Sequence, residues 1–148
     1  MNASAPAETC QFIVEHMSDA LVYSDPDGII RGWNGGAEAL FGFPRAEALG
    51  QNLDLIIPER LREAHWQGFE RAMASGKTRY GRRSSITRAL TRGGEAIYVD
   101  MSFAVVADAD GKTIGSVAVA RDATQRYREE RALREELAAL RKAGPGSA

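Results

Sequence analysis

Residues 96–106 read AIYVDMSFAVV, and the parity of this stretch decides the fold. Ile97, Val99, Met101, Phe103 and Val105 fall on one side of an extended chain, Tyr98, Asp100 and Ser102 on the other. Such alternation describes a strand of an antiparallel sheet with one buried and one partly wet face. Extended patterns flank it at 78–90 and 114–121. Thr91-Arg-Gly-Gly94 and Asp108-Ala-Asp-Gly-Lys112 break the run, so three long strands follow one another as a meander.

Upstream the period changes. In PERLREAHWQGFERAMASG (58–76) Leu61, His65, Gly68, Phe69, Ala72 and Met73 share one face at helical spacing, and Pro58 suits the first turn. His65 stands in the middle of that apolar face. Trp66, about 100° round the helix, covers its edge or a neighbouring subunit. Earlier still, 20–24 and 28–33 form a hairpin about Asp25-Pro-Asp-Gly28, with Trp33 packed beside it. Asn34 caps a short helix over 35–40 that Gly42 and Pro44 end, and a further helical turn at 45–49 stops at Gly50. A short amphipathic helix over 8–17 carries Phe12 and Ile13 near one side.

Beyond the last strand, DATQRYREERALREELAALRKA (122–143) is a charged helix with Leu133, Leu137 and Leu140 at spacings of four and three. That is a seam for another helix. Glu130 occupies the preceding seam position and weakens it, so the helix is expected to extend from a dimer already held elsewhere. The chain divides into an N-terminal tail and cap helix (1–17), a core (18–121), an exit helix (122–143) and a tail (144–148).

The totals limit the function. The 148 residues suit one domain, and 44% hydrophobic with 26% charged residues is ordinary globular composition. A net charge of −1 supplies no field for a polyanion, so nucleic acid is not expected as a partner. No apolar run approaches a membrane span and the N-terminus lacks the pattern of a signal peptide, so a cytoplasmic location is expected. The single cysteine, Cys10, allows no internal disulfide and agrees with a reducing compartment. Two histidines, one cysteine and no metal-ligand or phosphate-loop spacing assemble no catalytic set, so an enzyme is not expected. No output domain is expected after the exit helix. Arg79, Arg82, Arg83 and Arg88 read as a solvated sheet face in preference to an anion site.

The order of elements resembles a PAS domain: an α+β fold with an antiparallel sheet of about five strands, short flanking helices, an N-terminal helix and an exit helix. The motifs agree. WNGGAEALFG (33–42) looks like the family's turn and helix, LGQN (49–52) like its following step, RGGE (92–95) like its strand turn, and RDAT (121–124) like its signal-transfer signature. The likeness extends from Glu8 to Lys142. Gly93 replaces the family's usual Asp, and Leu53 stands where the blue-light flavin subgroup carries its reactive cysteine. Flavin–thiol photochemistry is therefore excluded. The resemblance implies a sensory and dimerising signalling module of bacterial type, with Phe12, Tyr127, Leu133, Leu137 and Leu140 on its dimer and signal helices and Asp122 and Thr124 in its signal-transfer motif. It also implies a small ligand or cofactor held by the long helix and the inner sheet face.

The family's haem-bearing oxygen sensors, those of the rhizobial nitrogen-fixation kinases, ligate iron through a histidine on the long helix, and Arg62-Glu-Ala-His65 resembles their segment. By that resemblance His65 would be the iron ligand, Phe69 part of the same cofactor site, Arg71 and Arg79 neighbours of the propionates, and Tyr80, Met101 and Phe103 neighbours of the distal side. The distal arginine position of those sensors is Ser85 here. The residues themselves favour a structural histidine satisfied by a hydrogen bond, with haem second. A scaffold whose core is filled by Phe69, Met101 and Phe103, with no ligand at all, is the competing function.

Overall fold

In the computed structural model, residues 4–78 and 81–144 are described. Helix α1 (Ala7–His16) precedes strand β1 (Ala20–Ser24), β2 (Ile30–Trp33), α2 (Gly35–Phe41) and α3 (Arg45–Ala48). A 3-10 turn at Leu53–Ile56 leads into α4 (Glu59–Ser75), and β3 (Ser84–Leu90), β4 (Ala96–Ala107), β5 (Thr113–Asp122) and α5 (Thr124–Lys142) complete the chain. The strands form one antiparallel sheet in the order β2-β1-β5-β4-β3. The expected α+β architecture, with its N-terminal and exit helices, is present.

Two strands are shorter than their patterns. Gly28 belongs to the turn, with φ +81° and its N–H donated to the Asp25 carbonyl, so β2 begins only at Ile30. The strand expected from 78 begins at Ser84, because Gly81 turns the chain with φ +60° before Ser84 meets Ser102 on β4. Arg79 and Tyr80 lie outside the described residues.

The first turn is held by one carboxylate. Asp25 Oδ1 accepts the N–H groups of Asp27 and Ile29, both at 3.0 Å, and Oδ2 pairs with Arg31. Asn34 does similar work in the interior, buried and with every side-chain valence used. Its Oδ1 accepts from Leu21 (2.8 Å) and Ala37 (2.9 Å), and its Nδ2 donates to the carbonyls of Val14 (2.8 Å) and Asp19 (3.0 Å). One amide thus caps α2, starts β1 and ties α1 to the domain.

The core lies between the helices and one sheet face, where Val22, Ile30, Trp33, Phe41, Phe69 and Val99 form a continuous buried cluster. Trp33 donates its Nε1–H to the Phe43 carbonyl at 2.9 Å, which satisfies the indole inside that core.

Candidate functional site

Strand β4 runs through the middle of two different environments. Its odd-numbered residues face the core: Val99 is sealed, while Ile97, Met101 and Phe103 pack against the core and remain partly open. Opposite them on β5 stand small side chains, Ala120 across from Met101 and Ala118 across from Phe103. Ala118 is only half-buried although it sits near the centre of the sheet. Helix α4 crosses this face. Phe69 meets Phe103 edge to face with ring centroids 6.4 Å apart, and Met73 packs against the same cluster.

His65, one turn before Phe69, has its ring stacked on that phenyl at 5.9 Å and set edge to face with the Trp66 indole at 4.8 Å. Its Nδ1 is buried and has no hydrogen-bond partner. The hydrogen bond expected of a structural histidine is not found among the described residues. Burial lowers the imidazole pKa from its ordinary value, an effect the nearby Asp54 carboxylate partly offsets, so the ring is neutral at pH 7. A buried polar atom without a partner costs on the order of 1–3 kcal/mol. Beside it Gly68 has open space where a side chain would begin, since a Cβ built there meets nothing within 4 Å.

The entry to α4 is braced by residues that the sequence pattern did not single out together. Trp66 donates its Nε1–H to Asp54 Oδ1 at 2.8 Å, and Arg62 donates to the carbonyls of Ile57 (3.0 Å) and Asp54 (3.3 Å). The edge of the Trp66 ring abuts Gly28, where a Cβ would strike its ring atoms. Trp66 thus covers the first turn of its own domain. Asn52, whose side chain accepts from the Asp54 N–H, was the readable signal that 53–56 begins with a cap.

Arg71 does not join this group. Six residues from His65 it lies about 120° around the helix, exposed, in a shallow open groove with Gln67, Glu70 and Ala74. Ser85 is exposed on the edge strand. His65, Phe69, Met101 and Phe103 are therefore brought together, Arg71 is not, and Tyr80 lies outside the described residues. As arranged, the space between α4 and the sheet does not fit a porphyrin, because Phe69 and Phe103 close on each other there; of the two arginines expected near the propionates Arg71 faces away, and Arg79 lies outside the described residues. The donor itself, a neutral imidazole with an unused nitrogen, is suited to iron. Leu53 is buried in its turn and Cys10 is exposed on α1, so no thiol adjoins the cleft. Among the described residues no group of three metal-ligating side chains occurs.

The even-numbered residues of β4 hold the exit helix. Tyr98 stacks on Tyr127 with ring centroids 3.7 Å apart and planes 15° from parallel. Arg88 of β3 covers Tyr98 from 5.0 Å, its Nε buried without a partner. The Tyr98 N–H donates to Thr124 Oγ1 at 3.1 Å, and its carbonyl accepts the Ala123 N–H at 2.8 Å. Asp122 accepts the Thr124 N–H at 2.8 Å, and Arg126 pairs with Asp100 at 3.4 Å. Arg88 therefore belongs to this latch, while Arg82 and Arg83 are exposed on the preceding turn. Tyr127 spends its ring on its own domain, whereas Leu133, Leu137 and Leu140 are 64%, 48% and 64% exposed, and Phe12 on α1 is 57% exposed. Among the described residues no helix is long and apolar enough to cross a membrane.

The chain is similar to signalling proteins of known kind. It is 30% identical over 110 residues to the oxygen sensor protein DosP of Escherichia coli, covering 74% of this chain and 13% of that protein. Over 53 residues it is 40% identical to the sensor protein FixL of Bradyrhizobium diazoefficiens, covering 36% of this chain and 10% of FixL. The chain thus spans only about an eighth or less of these relatives' length. Among solved structures, the PAS domain of a Colwellia psychrerythraea protein superimposes with a TM-score of 0.70 at 21% identity, covering 80% of this chain and 97% of that one. The family profile described as PAS fold matches residues 14–128, which is the core together with the roots of both terminal helices, and the chain belongs to the PAS family.

Proposed function

We propose that this PAS domain is a sensory and dimerising module in which a small molecule or cofactor in the α4–sheet cleft biases the packing of the exit helix. The observation that carries the reading is the parity of β4. Met101 and Phe103 wall the cleft against His65 and Phe69, and Tyr98 and Asp100, the intervening residues of the same strand, hold Tyr127 and Arg126 of α5. An occupant that displaces Phe103 moves the strand that anchors the helix. It signals only if it binds the two arrangements with different affinity. The domain binds rather than catalyses: the Asp54 carboxylate near the His65 ring is taken up by the Trp66 N–H, and among the described residues His65 makes no hydrogen bond to a nucleophile. Its relatives DosP and FixL support a place in a bacterial signalling protein. We place it in the cytoplasm as a homodimer.

Haem ligated by His65 is the second reading. The unpartnered Nδ1 and the likeness to an oxygen sensor favour it. A porphyrin would require Phe69 and Phe103 to part. The deciding experiment is an absorption spectrum of protein expressed with haem precursor, alongside His65→Ala and native mass spectrometry of the purified chain. A Soret band lost in the variant establishes the haem reading. A featureless spectrum with a bound small-molecule mass leaves an uncoloured ligand. A featureless spectrum, no added mass and unchanged stability across a ligand screen overturn the sensory reading and leave a ligand-free interaction scaffold.

A further inference from the structure

Asn34 precedes a glycine, Gly35, whose peptide nitrogen has no side chain beside it to hinder its approach to the asparagine amide. In such a pair the nitrogen attacks the side-chain carbonyl carbon. An N–Cγ bond forms, the Cγ–Nδ2 bond breaks, and ammonia leaves with the glycine proton. Water then opens the cyclic imide at one of its two carbonyls and gives aspartate or isoaspartate. In the folded chain neither partner is free to react. Asn34 is only 1% exposed, and its amide is held by the four bonds to Leu21, Ala37, Val14 and Asp19. Helix α1 lies directly on the nucleophile: a Cβ at Gly35 would come within 3.0 Å of the Glu15 carbonyl oxygen, and one at Gly36 would strike the Asp19 carbonyl.

The cover is lightly seated. No residue of α1 is buried, and Phe12 and Ile13 on it are both 57% exposed. Its side-chain ties to the core, among the described residues, are the Asn34 bond to Val14 and an exposed pair of Glu15 with Arg45. Segments with so few buried contacts open before the core does. We propose that Asn34–Gly35 is a self-modification site gated by the docking of α1. When α1 lifts, Nδ2 loses the Val14 carbonyl and Gly35 is uncovered. Fraying of the first turn of α2 then frees Oδ1, and the Gly35 nitrogen reaches Cγ. The change is one-way. An aspartate at 34 still accepts from Leu21 and Ala37, but it has no proton for the Val14 and Asp19 carbonyls and sets a negative charge against them. Isoaspartate lengthens the backbone at the cap and misplaces it. Either product leaves α1 without its seat, so a transient opening becomes a permanent one.

The test ages the full chain at neutral pH and follows residue 34 by peptide mass spectrometry, with amide hydrogen exchange on the same samples. Asn52, followed by Leu53, is the internal reference. The folded chain is expected to convert at least about tenfold more slowly than chain held unfolded in urea. Glu15→Ala removes the exposed ion pair and should raise conversion at 34 and exchange over 7–16 together, by about two- to fivefold. In the aged form, separated by its added negative charge, 7–16 should exchange faster than in the unaged chain while 96–106 is unchanged. Conversion that follows the exchange of 96–106 places the reaction in global unfolding and overturns the gate. Conversion in Glu15→Ala at the wild-type rate while 7–16 opens faster overturns it as well, and so does an aged form in which α1 exchanges at the unaged rate.

Discussion

Replacing Tyr127 by alanine should release the root of α5 while leaving the PAS core intact. The ring makes one aromatic contact, the near-parallel stack on Tyr98 at 3.7 Å, and the half-buried face goes with it. Such a pair contributes about 0.5–1.5 kcal/mol beyond area burial. The backbone bonds from Tyr98 to Ala123 and Thr124 stay, as does the Asp100–Arg126 pair, which at half exposure adds little. The expected loss is therefore about 1–2 kcal/mol of local docking, a factor of roughly 5–30 in the opening equilibrium of the first two turns. Amide hydrogen exchange reads this directly. Residues 124–133 should exchange faster by that factor, residues 96–106 should not change, and Tyr127→Phe, which keeps the stack, should stay near the wild type. If the first turns of α5 exchange at the wild-type rate in Tyr127→Ala, the stack does not hold the helix and the proposed route from β4 to α5 is wrong.

Asn34→Ala removes a helix cap and strands the Leu21 N–H and the Val14 and Asp19 carbonyls, so the urea unfolding midpoint should fall by an amount equivalent to about 3–4 kcal/mol. His65 is harder to protonate in the folded than in the unfolded chain, so the unfolded state binds the extra proton first as pH falls. Its contribution is complete above the unfolded value, about 6.5, and is lost progressively below it; the stability lost between pH 7 and pH 5 should shrink in His65→Phe, measured by denaturant titration. Glu130→Leu extends the apolar seam by one layer and should tighten self-association at least about tenfold in sedimentation equilibrium, whereas an unchanged constant would place Glu130 outside the seam.

The sheet and its helices were legible because their signals are local. Alternation in 96–106, the caps at Asn34 and Gly42, and the leucine spacing in α5 each depend on residues within a turn or two. The strand boundaries were less so, since a pattern of extended residues continues through Gly28 and Gly81 while positive φ angles at those glycines end the pairing. The site was partly legible. Parity placed Met101 and Phe103 on the inner face and helical spacing brought His65 and Phe69 to meet them. Arg71 was assigned through a resemblance, although its own spacing sets it about 120° from His65. Asp54, Trp66 and Gly28 meet through tertiary packing between the first hairpin, the 3-10 turn and α4, and no spacing rule relates an indole to a glycine 38 positions earlier. The stack of Tyr98 on Tyr127 was hidden for the same reason, because residues from a strand and a helix share no common period.

The uneven seam of α5 follows from that stack. The first turns of the helix serve the domain: Arg126 reaches Asp100, Tyr127 lies on Tyr98, and Glu130 forms an ion pair with Arg126 at 3.8 Å. A leucine at either of the first two seam positions would draw the helices together at the root and compete with these contacts. In the proposed dimer, charged residues there would keep the pair apart until Leu133, so the root could move with β4 without breaking apolar contacts, and the leucines beyond it would convert that movement into a change of the paired helices. The placement of Arg126 and Glu130 thus reads as a requirement of coupling, one that a seam optimised for stability alone would not show.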